Sequence, residues 1–237
     1  MSDLRCFHLR DSVDTEQLGE VLGDLLRSID AHPGAITLLL SGDLGAGKTT
    51  LVRGIARGMG ADDTAVASPT FTLRMDHRGE TRTLAHIDAW RIGPHDLESI
   101  GMDELLAQSG VIAVEWPEKL GAQLPSRHLR VTLDYTQSTH VDGEAHELGR
   151  IITVDATALG ARESRRIAQG LDLLVRSPSI APLLCPVCGA STTRSAQDNS
   201  GGVLPFCSRR CRMADLGDWL AMRHRIAGSS TPEFDES

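Results

Sequence analysis

The feature that most restricts how this chain can fold is the turn Ser41-Gly42-Asp43-Leu44-Gly45-Ala46-Gly47-Lys48-Thr49-Thr50. It fits the pattern G-x-x-x-x-G-K-[ST], with Gly42, Gly47, Lys48 and Thr49 at the specified places. Residues 35–40 before it are an apolar run of buried-strand length, and residues 50–57 after it carry Leu51, Val52 and Ile55 on one helical face. Strand, glycine turn and helix N-terminus in that order make a phosphate cradle. Gly42, Gly45 and Gly47 let the backbone curl so that successive N–H groups face one concavity. The helix beginning near Lys48 adds the positive end of its dipole. Lys48 offers a compact ammonium to the β- and γ-phosphates, and Thr49 offers a hydroxyl to Mg²⁺. Of 24 basic residues only Lys48 and Lys119 are lysines, which marks a need here for a point charge that a planar guanidinium would not meet. The candidate nucleotide-binding residues are therefore Gly42, Asp43, Leu44, Gly45, Ala46, Gly47, Lys48, Thr49 and Thr50.

Length and composition narrow the rest. A chain of 237 residues suits one domain of common size with a smaller appendage. A net charge of −8 argues against a basic coat for nucleic acid, and aromatics at 3% argue against a base-stacking surface. No run approaches the roughly 18 apolar residues of a membrane span. Met1-Ser2-Asp3-Leu4-Arg5 lacks the layout of a signal peptide, so the expected location is cytoplasmic. Four of the five cysteines cluster after residue 184, which in a reducing compartment points to metal rather than disulfides.

Residues 4–10 read as a short strand, followed by a helix capped at Asp14 or Thr15. Its core stripe is Leu18, Val21, Leu22, Leu25, Leu26 and Ile29, and His32-Pro33-Gly34 ends it. Ser68-Pro69-Thr70-Phe71-Thr72-Leu73-Arg74 predicts a strand beginning after Pro69, so that 70–88 forms a hairpin. The hydroxyls of Ser68 and Thr70 suit either turn capping or a site. Asp88 ends the second strand, where such carboxylates hold or organise Mg²⁺. His86 shares its face but by itself reads as structural. Pro94 opens an acidic helix over 96–108. Val111-Ile112-Ala113-Val114-Glu115 is an apolar strand ending in a carboxylate that suits Mg²⁺ or a positioned water. Trp116-Pro117 stops it, which places Glu115 at an edge or switch point. Residues 118–124 read as a short helix, 129–133 and 151–155 as strands joined by a long connection, and 156–176 as a helix. The fold class expected is α/β, a mixed sheet of nucleotide-hydrolase type flanked by helices, with a small zinc-binding module after it.

Four blocks together resemble the small P-loop ATPase of the bacterial tRNA threonylcarbamoyladenosine pathway, the TsaE family. They are residues 42–50, Ser68-Pro69-Thr70-Phe71-Thr72-Leu73, His86-Ile87-Asp88-Ala89-Trp90-Arg91 and Val114-Glu115-Trp116-Pro117, and the resemblance spans roughly 10–155. Trp90 stands where that family usually has tyrosine. The resemblance implies an ATPase that does not itself modify tRNA. It acts on two partner subunits that transfer threonylcarbamoyl to adenosine, and ATP hydrolysis resets them. It implies Thr49 and Glu115 as Mg²⁺ ligands, Asp88, Glu115 and Lys48 as catalytic residues, and the Ser68–Thr72 segment, with Thr70, as a switch near the γ-phosphate. Contact with tRNA is then indirect.

Cys185-Pro186-Val187-Cys188 and Cys207-Ser208-Arg209-Arg210-Cys211 supply two thiolate pairs that can close a tetrahedral Zn²⁺ site. Four thiolates leave no open position, so such a site is structural. The run Leu204-Pro205-Phe206-Cys207 through Asp215-Leu216-Gly217-Asp218-Trp219 resembles the zinc protein YacG, described as a DNA gyrase inhibitor. The resemblance implies gyrase as a partner. Expected boundaries are 1–176 for the ATPase domain, 177–183 for a linker, 184–228 for the zinc module and 229–237 for a flexible tail. Two rival functions share these features: a gyrase regulator with a vestigial P-loop domain, and a small-molecule kinase, for which no arginine-rich lid is evident.

Overall fold

An apolar strand preceding a helix must be covered on both faces, and the computed structural model shows what covers it. It describes residues 4–29, 34–92, 97–108, 110–121, 123–135, 149–174, 181–182, 187 and 209–220. The chain divides into two compact units, Met1–Leu183 and Leu184–Ser237. The first contains β1 (Leu4–Leu9), α1 (Ser12–Ser28), β2 (Ile36–Gly42), α2 (Lys48–Gly58), β3 (Arg74–Arg78), β4 (Thr83–Asp88), α3 (Met102–Ala107), β5 (Val111–Glu115), β6 (His128–Tyr135), β7 (Arg150–Asp155), α4 (Ala161–Leu174) and β8 (Ala181–Pro182). In the second, α5 spans Arg209–Leu220. Among the described residues no helix is long and apolar enough to cross a membrane.

The eight strands form one sheet in the order β3-β4-β5-β2-β6-β7-β1-β8. β4, β5, β2 and β6 run parallel, and antiparallel strands extend the sheet on either side. The mixed α/β sheet expected from the sequence is the one that forms. Leu38 and Leu40 of β2 enter a core shared with Leu18 and Leu22 of α1, Leu51 and Ile55 of α2, and Ile167 of α4. Leu39 enters the opposite core with Ile87, Val114 and Leu105 of α3. Burial on both faces is why β2 carries three consecutive leucines, Leu38, Leu39 and Leu40, rather than an alternation.

The seat of α2 depends on a close helix contact. Gly19 and Gly23 of α1 face Gly54 and Gly58 of α2. A Cβ at Gly54 would lie 2.1 Å from Glu16 O, and one at Gly58 would lie 1.9 Å from Glu20 O. The obstacle in each case is backbone, which cannot step aside. Glycine here serves close approach rather than a turn.

Several elements differ from the sequence expectation. The N-cap of α1 is Asp11, whose Oδ1 accepts from Asp14 N at 2.9 Å. Asp14 is drawn instead to Arg10, accepting its backbone N–H and its guanidinium at 2.9 Å. Val21 is only half-buried, and Leu25, also half-buried, still packs against the core. β3 starts at Arg74, not after Pro69: Leu73 adopts φ 63° and its N–H donates to Pro69 O, closing a turn. The acidic helix is short, starting at Met102 after a left-handed Gly101. Residues 117–120 form a single 3-10 turn, and α4 begins only at Ala161, after a turn through Leu159. Of the two places expected for Glu115, an edge or a switch point, the edge is excluded, since β5 lies between β4 and β2. Ala181 and Pro182, expected in a linker, pair with β1. His32, Pro33, Pro94, Cys185, Cys188 and Cys207 lie outside the described residues.

Gly58→Ala is expected to destabilise the protein by about 1–3 kcal/mol through overpacking. Gly217→Ala in α5, where a Cβ meets nothing within 4 Å, is expected to be neutral or stabilising. Urea unfolding of both variants checks the contrast.

Candidate nucleotide-binding site

The site grows from the place where β2 becomes α2. Gly42 has φ +147°, and a Cβ there would lie 2.4 Å from Leu133 O. Gly47, the N-cap of α2, has φ +103°. Both are conformations that L side chains resist. The chain therefore curls and presents the first turn of α2 to a cavity of about 530 Å³. Its walls are Leu44, Gly45, Gly47, Lys48, Thr49 and Thr50 from this turn. Ser68, Thr70, Asp88, Trp90, Glu115 and Trp116 complete them.

Parallel pairing supplies the acidic wall. Asp88 and Glu115 stand opposite each other at the carboxyl ends of β4 and β5. Glu115 is buried, and its Oε1 accepts from Thr49 Oγ1 at 2.8 Å and meets His86 Nε2 at 2.9 Å. The second carboxylate oxygen takes no hydrogen bond from the described residues. His86 is fully buried, and its Nδ1 has no hydrogen-bond partner among the described residues. Its Nε2 is therefore the nitrogen that addresses Glu115. The neighbouring His77 ring lies 6.2 Å away, and burial together with His86 lowers the His77 pKa.

Asp88 gathers the loop before β3. Its Oδ2 accepts from Thr70 Oγ1 at 2.6 Å and Ser68 Oγ at 3.2 Å, while Oδ1 accepts from Trp90 N at 2.9 Å. The two hydroxyls that the sequence left ambiguous both face the carboxylate.

Lys48 is buried and donates to Gly42 O at 2.7 Å and Asp43 O at 2.9 Å. Its Nζ also lies 3.8 Å from the centroid of Trp116. Burial pushes its pKa below the usual lysine value, against the opposing pull of Glu115, Glu118, Asp88 and Asp43. Trp116 packs on Trp90 at 4.7 Å, and Lys119 lies over Trp90 at 4.4 Å. In the sequence Trp116 stands as the residue that stops β5 and as part of the block Val114–Pro117, with no role at the site. Its adjacency to Glu115 was the local signal; its left-handed φ of 59° and its contact with Lys48 belong to the structure.

The structure thus brings Lys48, Thr49, Thr70, Asp88 and Glu115 into one cavity. The family model described as "Threonylcarbamoyl adenosine biosynthesis protein TsaE" matches residues 9–143. The chain belongs to the TsaE family. A Streptomyces coelicolor relative named "tRNA threonylcarbamoyladenosine biosynthesis protein TsaE" is 38% identical over 150 residues, covering 62% of this chain and 91% of the relative. One from a Nostoc species with the same name is 36% identical over 133 residues, covering 54% and 76%. The crystal structure of Bacillus subtilis YdiB superposes with a TM-score of 0.53 at 24% identity. It covers 73% of this chain and 97% of that one, a likeness of fold. All four sequence blocks that resemble TsaE fall inside the matched span. A second model, "DNA gyrase inhibitor YacG", matches residues 183–237, so the chain carries both modules. Of the four candidate zinc ligands, Cys211 on α5 is described.

Asp88→Ala removes the acceptor of three hydrogen bonds at once. It is expected to free the 68–72 segment, and hydrogen exchange of the Trp90 amide is expected to accelerate by roughly tenfold or more. Exchange measured by NMR on the full chain checks this.

Proposed function

We propose that this chain is a Mg²⁺-dependent ATPase that serves the threonylcarbamoyl-transferase subunits of tRNA modification, resetting that complex by hydrolysing ATP. The observation that carries the reading is the meeting of Lys48, Thr49, Asp88 and Glu115 at the carboxyl ends of β2, β4 and β5 around one cavity. At about 530 Å³ that cavity lies within the usual range for a small-molecule site. Transfer of a phosphoryl group to water asks for charge neutralisation and positioning more than covalent help.

Each residue then has a task. The turn from Gly42 to Thr50 binds the phosphates through backbone N–H groups and the α2 dipole. Lys48 places its ammonium against the β- and γ-phosphates. Thr49 and Glu115 hold Mg²⁺. Their oxygens lie 2.8 Å apart on the cavity wall, and a hydroxyl with a carboxylate is a donor set that would suit a hard oxygen-seeking cation. When bound, the ion neutralises charge on the β- and γ-phosphate oxygens. Asp88 supports hydrolysis by orienting water, and it couples that role to Ser68 and Thr70, which form a switch beside the γ-phosphate.

Partners are supported by the rim of the cavity. Leu44 is 86% exposed and Trp90 52%, and Phe71, next to Thr70, is 84% exposed; exposed apolar side chains here suit a covering protein. With a net charge of −8, contact with tRNA is left to those subunits. A cytoplasmic location follows from that role. Cys185, Cys188, Cys207 and Cys211 hold one structural Zn²⁺, and the module they organise binds DNA gyrase, a reading supported by the YacG match.

The test is reconstitution. Bacterial threonylcarbamoyl-transfer components lacking their own ATPase are supplied with this protein and ATP, and modified tRNA is counted per transferase complex. Many turnovers are expected, and Lys48→Ala is expected to remove them by roughly a hundredfold or more. Glu115→Ala is expected to lose Mg²⁺-dependent hydrolysis with the fold retained. A single turnover with matched partners and folded protein would overturn the reading. For the second module, elemental analysis of protein purified without chelator is expected to give about one zinc per chain, lost in Cys207→Ser.

A further inference from the structure

The cavity has its acidic wall on the β4–β5 side, but the glycine turn is also held from the opposite side. There the ends of β6 and β7 run past it. Tyr135, the only tyrosine in the chain, donates its hydroxyl to Leu44 O at 3.3 Å. Arg150, its partner across the β6–β7 ladder, donates Nε to Ala46 O at 3.2 Å. A Cβ at Gly45 would lie 2.9 Å from the Tyr135 hydroxyl, and one at Gly47 would lie 3.4 Å from Arg150 Nε. Both side chains therefore press directly on the turn. Neither is among the described residues that line the cavity.

A peptide unit is planar and trans, so its C=O and N–H point in opposite directions. The Leu44 carbonyl shares its unit with the Gly45 N–H, and the Ala46 carbonyl shares its unit with the Gly47 N–H. Gly45 and Gly47 do line the cavity. A hydrogen bond that holds each carbonyl outward therefore holds the matching N–H inward. Glycines at φ +79° and +103° carry no side chain that would resist rotation of these units. Their orientation has to be set by contacts from outside the turn. Lys48 holds the carbonyls of Gly42 and Asp43, but its ammonium is also the group a phosphate recruits. Tyr135 and Arg150 face no such competition.

We propose that Tyr135 and Arg150 are positioning residues for the phosphate cradle. They brace the Leu44 and Ala46 carbonyls from behind, so that the Gly45 and Gly47 N–H groups are preset toward the β-phosphate of a nucleoside diphosphate or triphosphate. The proposal rests on the nucleotide-binding reading above. Arg150 lies beyond the residues matched by the TsaE model.

Calorimetric titration of the full chain with ADP and Mg²⁺ tests it. The variants are Tyr135→Phe, Arg150→Ala, Arg150→Lys and Lys48→Ala, each with its nucleotide-free Tm. Tyr135→Phe is expected to raise the Kd for ADP roughly three- to tenfold, and Arg150→Ala by a similar factor. Arg150→Lys keeps a donor and is expected to recover part of the loss. The nucleotide-free Tm of Tyr135→Phe is expected to stay within about 2 °C of the parent. A merely structural role would do the reverse, lowering Tm and leaving Kd in place. If Arg150→Ala also lowers Tm, Tyr135→Phe decides alone, because it removes one hydroxyl and keeps the ring. An unchanged Kd in Tyr135→Phe, with binding still lost in Lys48→Ala, overturns the brace. An unchanged Kd in Lys48→Ala overturns the nucleotide-site reading beneath it.

Discussion

The contact on which the site depends is the one made by Glu115 Oε1. A carboxylate this buried is costly unless its oxygens are hydrogen-bonded. Thr49 reaches it from the first turn of α2, and His86 reaches it from the neighbouring strand β4. One oxygen thus ties a helix N-terminus and two parallel strands to a common point. The arrangement makes His86 a structural partner of a carboxylate that lines the cavity, with Thr49 and His86 meeting at the same Glu115 oxygen.

That point exists because the sheet is parallel at its centre. Parallel pairing brings the carboxyl ends of β4, β5 and β2 to the same border, where Asp88, Glu115 and the glycine turn meet. The remaining requirement is that α2 lie close enough to aim its first turn at that border. The glycine faces of α1 and α2 provide it, since each would-be Cβ meets the other helix's backbone at 1.9–2.3 Å. Stability and site geometry therefore share one contact. The rim follows a different logic: Leu44 and Trp90, which line the cavity, remain exposed, as does Phe71 next to Thr70.

Much of this was legible in the sequence where the signal is local. The G-x-x-x-x-G-K-T pattern, the apolar run of β2 and the carboxylates ending β4 and β5 each lie within a few consecutive residues. The weaker readings concern element limits. The strand expected after Pro69 begins at Arg74 because the hydroxyls of Ser68 and Thr70 are drawn to Asp88, some twenty residues onward. The cap expected at Asp14 or Thr15 is Asp11, because Arg10 takes the Asp14 carboxylate and the Thr15 hydroxyl donates to Asp11 O. In both places a side-chain partner overrode a local propensity.

By itself, then, the sequence determined the groups available: a glycine turn with one lysine, two strand-end carboxylates, a cysteine module and the two families these motifs mark. Those are properties of short segments, and short segments carry them wherever they fold. Only the tertiary structure decided which groups meet. Thr49 and Glu115 are 66 residues apart, Leu44 and Tyr135 are 91 apart, and Ala46 and Arg150 are 104 apart. No periodicity or propensity spans such distances. Strand order and helix packing set these pairings, and packing is a property of the whole chain.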